Sequence, residues 1–144
     1  MLLISKNITY AEAFKSQQAV RLKIKNTTDD PEILKNMKHV ADNVFEKIRA
    51  HFGVPIGISS FYRSPELNKA IKGSSSSQHM TGEAIDIDGD IFGKITNKQI
   101  YDYVKDNLDF DQLIWEYGTD KNPAWVHVSL KRVGKNRKQI LRIK

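Results

Sequence analysis

Two short segments of this chain carry residue types that bind a metal ion. One runs Ser77-Gln78-His79-Met80-Thr81-Gly82-Glu83-Ala84-Ile85-Asp86, the other Trp125-Val126-His127-Val128-Ser129. Among their residues, His79, His127 and Asp86 supply two imidazoles and a carboxylate. A catalytic zinc uses three nitrogen and oxygen ligands of this kind, because its fourth position stays open for water. The chain has no cysteine, which excludes disulfides and thiolate metal sites.

Both segments alternate with a period of two. In Ala84–Asp88 the isoleucines point one way and Ala84, Asp86 and Asp88 the other. In Trp125–Ser129 the valines point one way and Trp125, His127 and Ser129 the other. Each reads as a strand with its apolar side on the core. If the two share a sheet, Asp86 and His127 project from one face. His79 precedes them across Gly82, a residue free to make the turn that folds it over that face.

At Ser77, His79, Gly82, Ala84 and Asp86, followed by Trp125 and His127, the chain resembles the M15 group of zinc D-Ala-D-Ala carboxypeptidases and peptidoglycan endopeptidases. The hedgehog signalling domain and the vancomycin-resistance dipeptidases have similar metal centres. A third match is Ser60-Phe61-Tyr62-Arg63-Ser64 followed by Leu67-Asn68. It resembles the segment in which family members carry an arginine facing the substrate. The resemblance implies one zinc per chain, held by His79, Asp86 and His127. It also implies a peptidoglycan stem peptide containing D-alanine as substrate.

Hydrolysis of an amide needs a base as well as a metal, and a carboxylate is the usual choice. Glu116, at the end of a strand-like run from Gln112, is the candidate. Family members place their acid a few residues before the last histidine, where this chain has Lys121, Asn122, Pro123 and Ala124. Asp120 is a weak substitute. Asp88 is a second ligand, an orienting partner for a ligand histidine, or a solvated strand end. Arg63 binds a substrate carboxylate or the oxyanion formed when water adds to the carbonyl. Ser77 and Trp125 are expected to contact substrate. His39 and His51 lack partner motifs and read as surface residues.

Helices and strands around these groups are legible in outline. Thr9 and Glu12 form a capping box that starts a helix over 10–22. Asp30-Pro31 starts a second, with Ile33, Leu34, Met37, Val40, Ala41, Val44, Phe45 and Ile48 on one stripe and Gly53 to end it. A strand follows over 57–62, then a short helix from Pro65 to about residue 71. Thr96 and Gln99 cap a helix running to Asn107. Strands follow over 112–117, 125–130 and 139–143, the last an edge strand fronted by lysines. Early helices and mostly late strands indicate an α+β fold with a largely antiparallel sheet. The resemblance implies the same, with helices on one side, as in the hedgehog/DD-peptidase fold. The 144 residues make one domain.

The net charge is +6, and Lys131, Arg132, Lys135, Arg137 and Lys138 make the end of the chain basic. Such a surface attracts polyanions, including the anionic polymers of a bacterial wall. No nucleic-acid motif accompanies the charge, so no nucleic acid is expected. No run approaches the length of a membrane span, and Met1-Leu2-Leu3-Ile4 is too short for a signal peptide. The expectation is a soluble monomer made in the cytoplasm and acting at the cell wall after release, as in a phage or prophage lysis enzyme. A second class of function stays open: a hedgehog-like zinc protein that binds partners without strong catalysis.

Overall fold

The computed structural model describes residues 2–144. A hairpin of β1 (Leu3–Ser5) and β2 (Ile8–Thr9) comes first, an element that the sequence pattern does not announce. The Thr9 capping box then opens helix α1 (Tyr10–Phe14). The single helix expected over 10–22 is two. Lys15 and Ser16 are extended, and Ser16 caps a separate helix α2 (Gln17–Leu22) by accepting from the Ala19 amide. Two carbonyls that would have continued α1 are used elsewhere. Ala13 accepts from the Tyr62 amide at 3.0 Å, and Phe14 from the Asn26 side chain at 2.8 Å.

The second helix starts at Pro31, as its Asp30 cap predicts, and ends at Gly53 with φ +66. It runs as α3 (Pro31–Val40), a π segment (Ala41–Phe45) and α4 (Glu46–Phe52). Its stripe of Met37, Val40, Val44, Phe45 and Ile48 is fully buried. The remaining elements are β3 (Gly57–Ser60), α5 (Pro65–Ala70), β4 (Ala84–Asp88), a 3-10 turn (Gly89–Ile91), α6 (Asn97–Asn107), β5 (Gln112–Glu116), β6 (Trp125–Ser129) and β7 (Gln139–Ile143).

Five strands form one sheet in the order β3-β4-β6-β5-β7. All pairs are antiparallel except β5 with β7, which run parallel, so the edge strand runs in the same sense as its one sheet neighbour. The fold is α+β, as expected. One face of the sheet carries Ile85, Ile87, Leu113, Trp115, Val126 and Val128. These share a core with the long helix and with Ile100, Tyr101 and Val104 of α6. Burying such side chains contributes about 1.5–3 kcal/mol each. The opposite face carries the polar members of the same strands. Because the side-chain period is two, fixing the apolar register also fixes which polar groups meet.

Candidate metal centre

Asp86 on β4 lies directly opposite His127 on β6, and Ile114 of β5 lies opposite His127 on its other side. Opposed residues in an antiparallel pair put their side chains on one face within contact range. Here the His127 Nδ1 is 2.9 Å from Asp86 Oδ1.

His79 arrives by a different route. Strand β3 stops at Ser60 rather than Tyr62, because the next residues turn away to hold the loop before β4. The Arg63 amide donates to the His79 carbonyl at 3.1 Å, and His79 Nδ1 lies 2.7 Å from the Phe61 carbonyl. Gly82 closes the loop with φ +76, where a Cβ would meet the Ile33 carbonyl at 2.7 Å. His79 Nε2 thereby comes 3.2 Å from Asp86 Oδ2. Donor atoms of His79, Asp86 and His127 all lie within 4.8 Å of one another. All three residues are buried.

The donor chemistry suits a metal. A carbonyl only accepts, so His79 Nδ1 carries a proton for Phe61 and the lone pair of a neutral imidazole sits on Nε2, facing Asp86. Two acceptors this close require a cation between them, a proton or a metal ion. Each oxygen of Asp86 faces a different imidazole. Burial alone would raise the Asp86 carboxyl, but His79 and His127 overcome it and hold it well below the usual carboxylate range. A buried set of two imidazoles and a carboxylate matches a zinc site with one position left open.

Glu116 stands beside this group, directly opposite Trp125 in the β5–β6 ladder. The Trp125 indole donates to Glu116 Oε2 at 2.7 Å, while Oε1 lies 3.8 Å from His127 Nδ1. Burial and the charge of Asp86 raise the Glu116 carboxyl, with His127 and the indole bond opposing. Burial also pulls the His127 imidazole down, but the Asp86 hydrogen bond and the charges of Asp86 and Glu116 leave it raised. Arg63 is anchored by Asn68, whose Oδ1 accepts from Nη1 at 3.0 Å. Burial lowers its guanidinium, against the pull of Asp86 and Glu116. A cleft of about 970 Å³ is lined by Arg63, Ser77, His79, Asp86, Glu116, Trp125 and His127 among others. Ser77 Oγ accepts from the His79 amide at 3.3 Å, so it braces the loop as well as facing the cleft.

Other candidates fall away from the group. Asp88 Oδ1 accepts from the Asp90 amide and from Asn97, each at 3.0 Å, and so caps the 3-10 turn. Asp120 is exposed and pairs with Arg142. His39 is half-buried rather than fully exposed, with Asn43 at 3.3 Å. His51 is exposed and stacks on Tyr103 with ring centroids 4.1 Å apart.

Several supporting residues escaped the sequence reading. Asn26, buried, donates to the Phe14 and Tyr62 carbonyls and accepts from the Ser64 amide, so it pins the arginine segment to α1. Nothing near Asn26 in sequence signals this. The Trp125–Glu116 bond is visible only once the strand register is known.

The profile of the M15 peptidases matches residues 6–129. The chain belongs to the M15 peptidase family. Membership marks it as a metallopeptidase, and M15 peptidases are typically zinc-dependent. No curated protein matches the chain. Among the described residues, no helix is long and apolar enough to cross a membrane.

Proposed function

We propose that this M15 member is a zinc-dependent peptidase of D-alanine-containing peptidoglycan stem peptides, acting as a monomer and as one domain over residues 1–144. The observation that carries the reading is the placement of Glu116 Oε1 beside the buried His79–Asp86–His127 group, inside an open cleft. His79 through Nε2, His127 through Nδ1 and a carboxylate oxygen of Asp86 would hold the ion. When bound, zinc polarises the scissile carbonyl and acidifies a water molecule.

The chain's own residues do the rest. Glu116 accepts the proton of the attacking water on Oε1 and later passes it to the leaving amine, while Trp125 fixes Oε2. Its raised affinity for a proton suits a group that must take one up and give it back. Arg63, held by Asn68, faces the substrate carbonyl or a substrate carboxylate. The Phe61 carbonyl keeps the His79 ring in one tautomer. The setting we propose is the bacterial cell wall, reached after release from the cytoplasm, as for a phage or prophage lysis enzyme.

The test is hydrolysis of purified stem peptide, with and without a chelator, on protein of known zinc content. The expected result is cleavage abolished by chelation and restored by zinc. Cleavage that survives removal of the metal overturns the reading, and so does zinc-loaded protein that cleaves no wall peptide.

A further inference from the structure

The cleft does not end at the metal-binding group. It continues to Lys131 and Arg137, two cations in the segment that follows the family match. Neither belongs to the machinery described above.

Both are organised around one carboxylate. Asp111 is fully buried. The Arg137 guanidinium grips it from Nε, at 3.1 and 3.2 Å to its two oxygens, and from Nη2 at 2.7 Å. The Arg137 amide donates to Asp111 Oδ1 at 2.9 Å, and Gln78, in the loop that carries His79, donates to Oδ2 at 3.0 Å. Lys131 Nζ stands 3.8 Å from Oδ1. The bond to Arg137, opposed by burial, holds the Asp111 carboxyl down at about 2, so it stays ionised.

The charge count leaves a surplus. Two cations face one anion, so one positive charge remains uncompensated. It is also accessible: the side chains of Arg137 and Lys131 are 52% and 32% exposed. The third guanidinium nitrogen, Nη1, takes no part in the grip on Asp111. A rigid guanidinium edge beside an ammonium suits a planar carboxylate. Because both cations line the cleft that holds Glu116 and His127, a carboxylate seated there belongs to the molecule being cut.

We infer that Lys131 and Arg137 form a carboxylate-binding subsite, which selects substrates bearing a free carboxylate on the side of the scissile bond that lies toward residues 131–137. Asp111 is the positioning residue: it fixes the Arg137 fork before substrate arrives. This subsite rests on the peptidase reading for the identity of its ligand. Its recognition chemistry stands apart from the metal.

The experiment uses the stem peptide L-Ala-γ-D-Glu-L-Lys-D-Ala in three forms: free acid, amidated at the internal glutamate carboxylate, and amidated at the C-terminus. Affinity is measured by calorimetry on zinc-loaded Glu116→Gln protein, which keeps the cleft while suppressing turnover. One of the two amidations is expected to weaken binding about tenfold, the scale of losing one charge-assisted contact. Lys131→Gln and Arg137→Gln should each shrink that preference to about twofold or less. If Arg137→Gln fails to fold because Asp111 is left unpaired, Lys131→Gln still decides.

Equal affinity for all three peptides overturns the subsite, and so does a preference unchanged by Lys131→Gln. Wild-type hydrolysis is followed in parallel. Hydrolysis without an acid preference removes the subsite and leaves the peptidase reading intact. An acid preference that Lys131→Gln abolishes, in a protein that cleaves nothing, removes the peptidase reading and leaves the subsite.

Discussion

Glu116 illustrates how much a single carboxylate depends on what holds each of its oxygens. Oε2 is committed to the Trp125 indole, and Oε1 faces the His79–Asp86–His127 group. Glu116→Gln keeps the shape but cannot take up a proton. Zinc should stay bound, because Glu116 is not a proposed ligand, while turnover falls by something like 10²–10⁴-fold. Zinc content and peptide hydrolysis on one preparation check this. Near-normal hydrolysis would remove Glu116 from the mechanism, and lost zinc would make it a ligand or support. At this scale the sequence was readable where alternation put Asp86, His127 and Glu116 on polar faces. It was silent on Trp125 as the holder of Glu116, since that contact depends on register between strands. Asp88 shares its face with Asp86, yet the 3-10 turn and Asn97 claim its carboxylate.

At the scale of elements, the loop between α5 and β4 is the most exacting piece. It has to bring His79 back over the sheet, and Gly82 makes that return possible with a positive φ pressed against the long helix. Gly82→Ala would place a methyl group 2.7 Å from both the Ile33 carbonyl and Met37 Cγ. The expected outcome is a lower Tm together with weaker zinc binding, because the strain falls on the loop that carries His79. A lowered Tm with unchanged zinc affinity would show that loop position and metal site are uncoupled. The capping boxes at Thr9 and Thr96, the Asp30-Pro31 start and the Gly53 stop were all legible, since caps are local chemistry. The break after Phe14 was not. It follows from Tyr62 and Asn26 capturing the α1 carbonyls, and both are distant in sequence. The parallel pairing of β7 is likewise a matter of topology that residue periodicity does not encode.

Across the whole molecule, the basic segment after β6 is drawn back onto the fold rather than left free. Arg132 pairs with Glu32 and Asn36 near the start of α3, and Arg137 with Asp111. Part of the charge expected to face polyanions is therefore spent internally. This has a pH consequence. The Arg137 hydrogen bond holds the folded Asp111 carboxyl down at about 2, below the ordinary aspartate value of ~3.9. A depressed folded value contributes stability that is present above the unfolded pKa and lost as pH falls through the folded one. Denaturant midpoints of wild type and Asp111→Asn should thus differ most above about pH 4 and converge toward pH 2. A constant gap would mean that Asp111 matters only through packing.

The proposed centre has His79, Asp86 and His127 jointly binding one zinc with an open position. A crystal grown with zinc and measured at the zinc absorption edge gives the decisive readout. The expected result is one anomalous peak per chain, at bonding distance from His79 Nε2, an Asp86 oxygen and His127 Nδ1, with a further position facing the cleft and Glu116. A peak elsewhere, or none, with Asp86 still bonded directly to the two imidazoles, would contradict it.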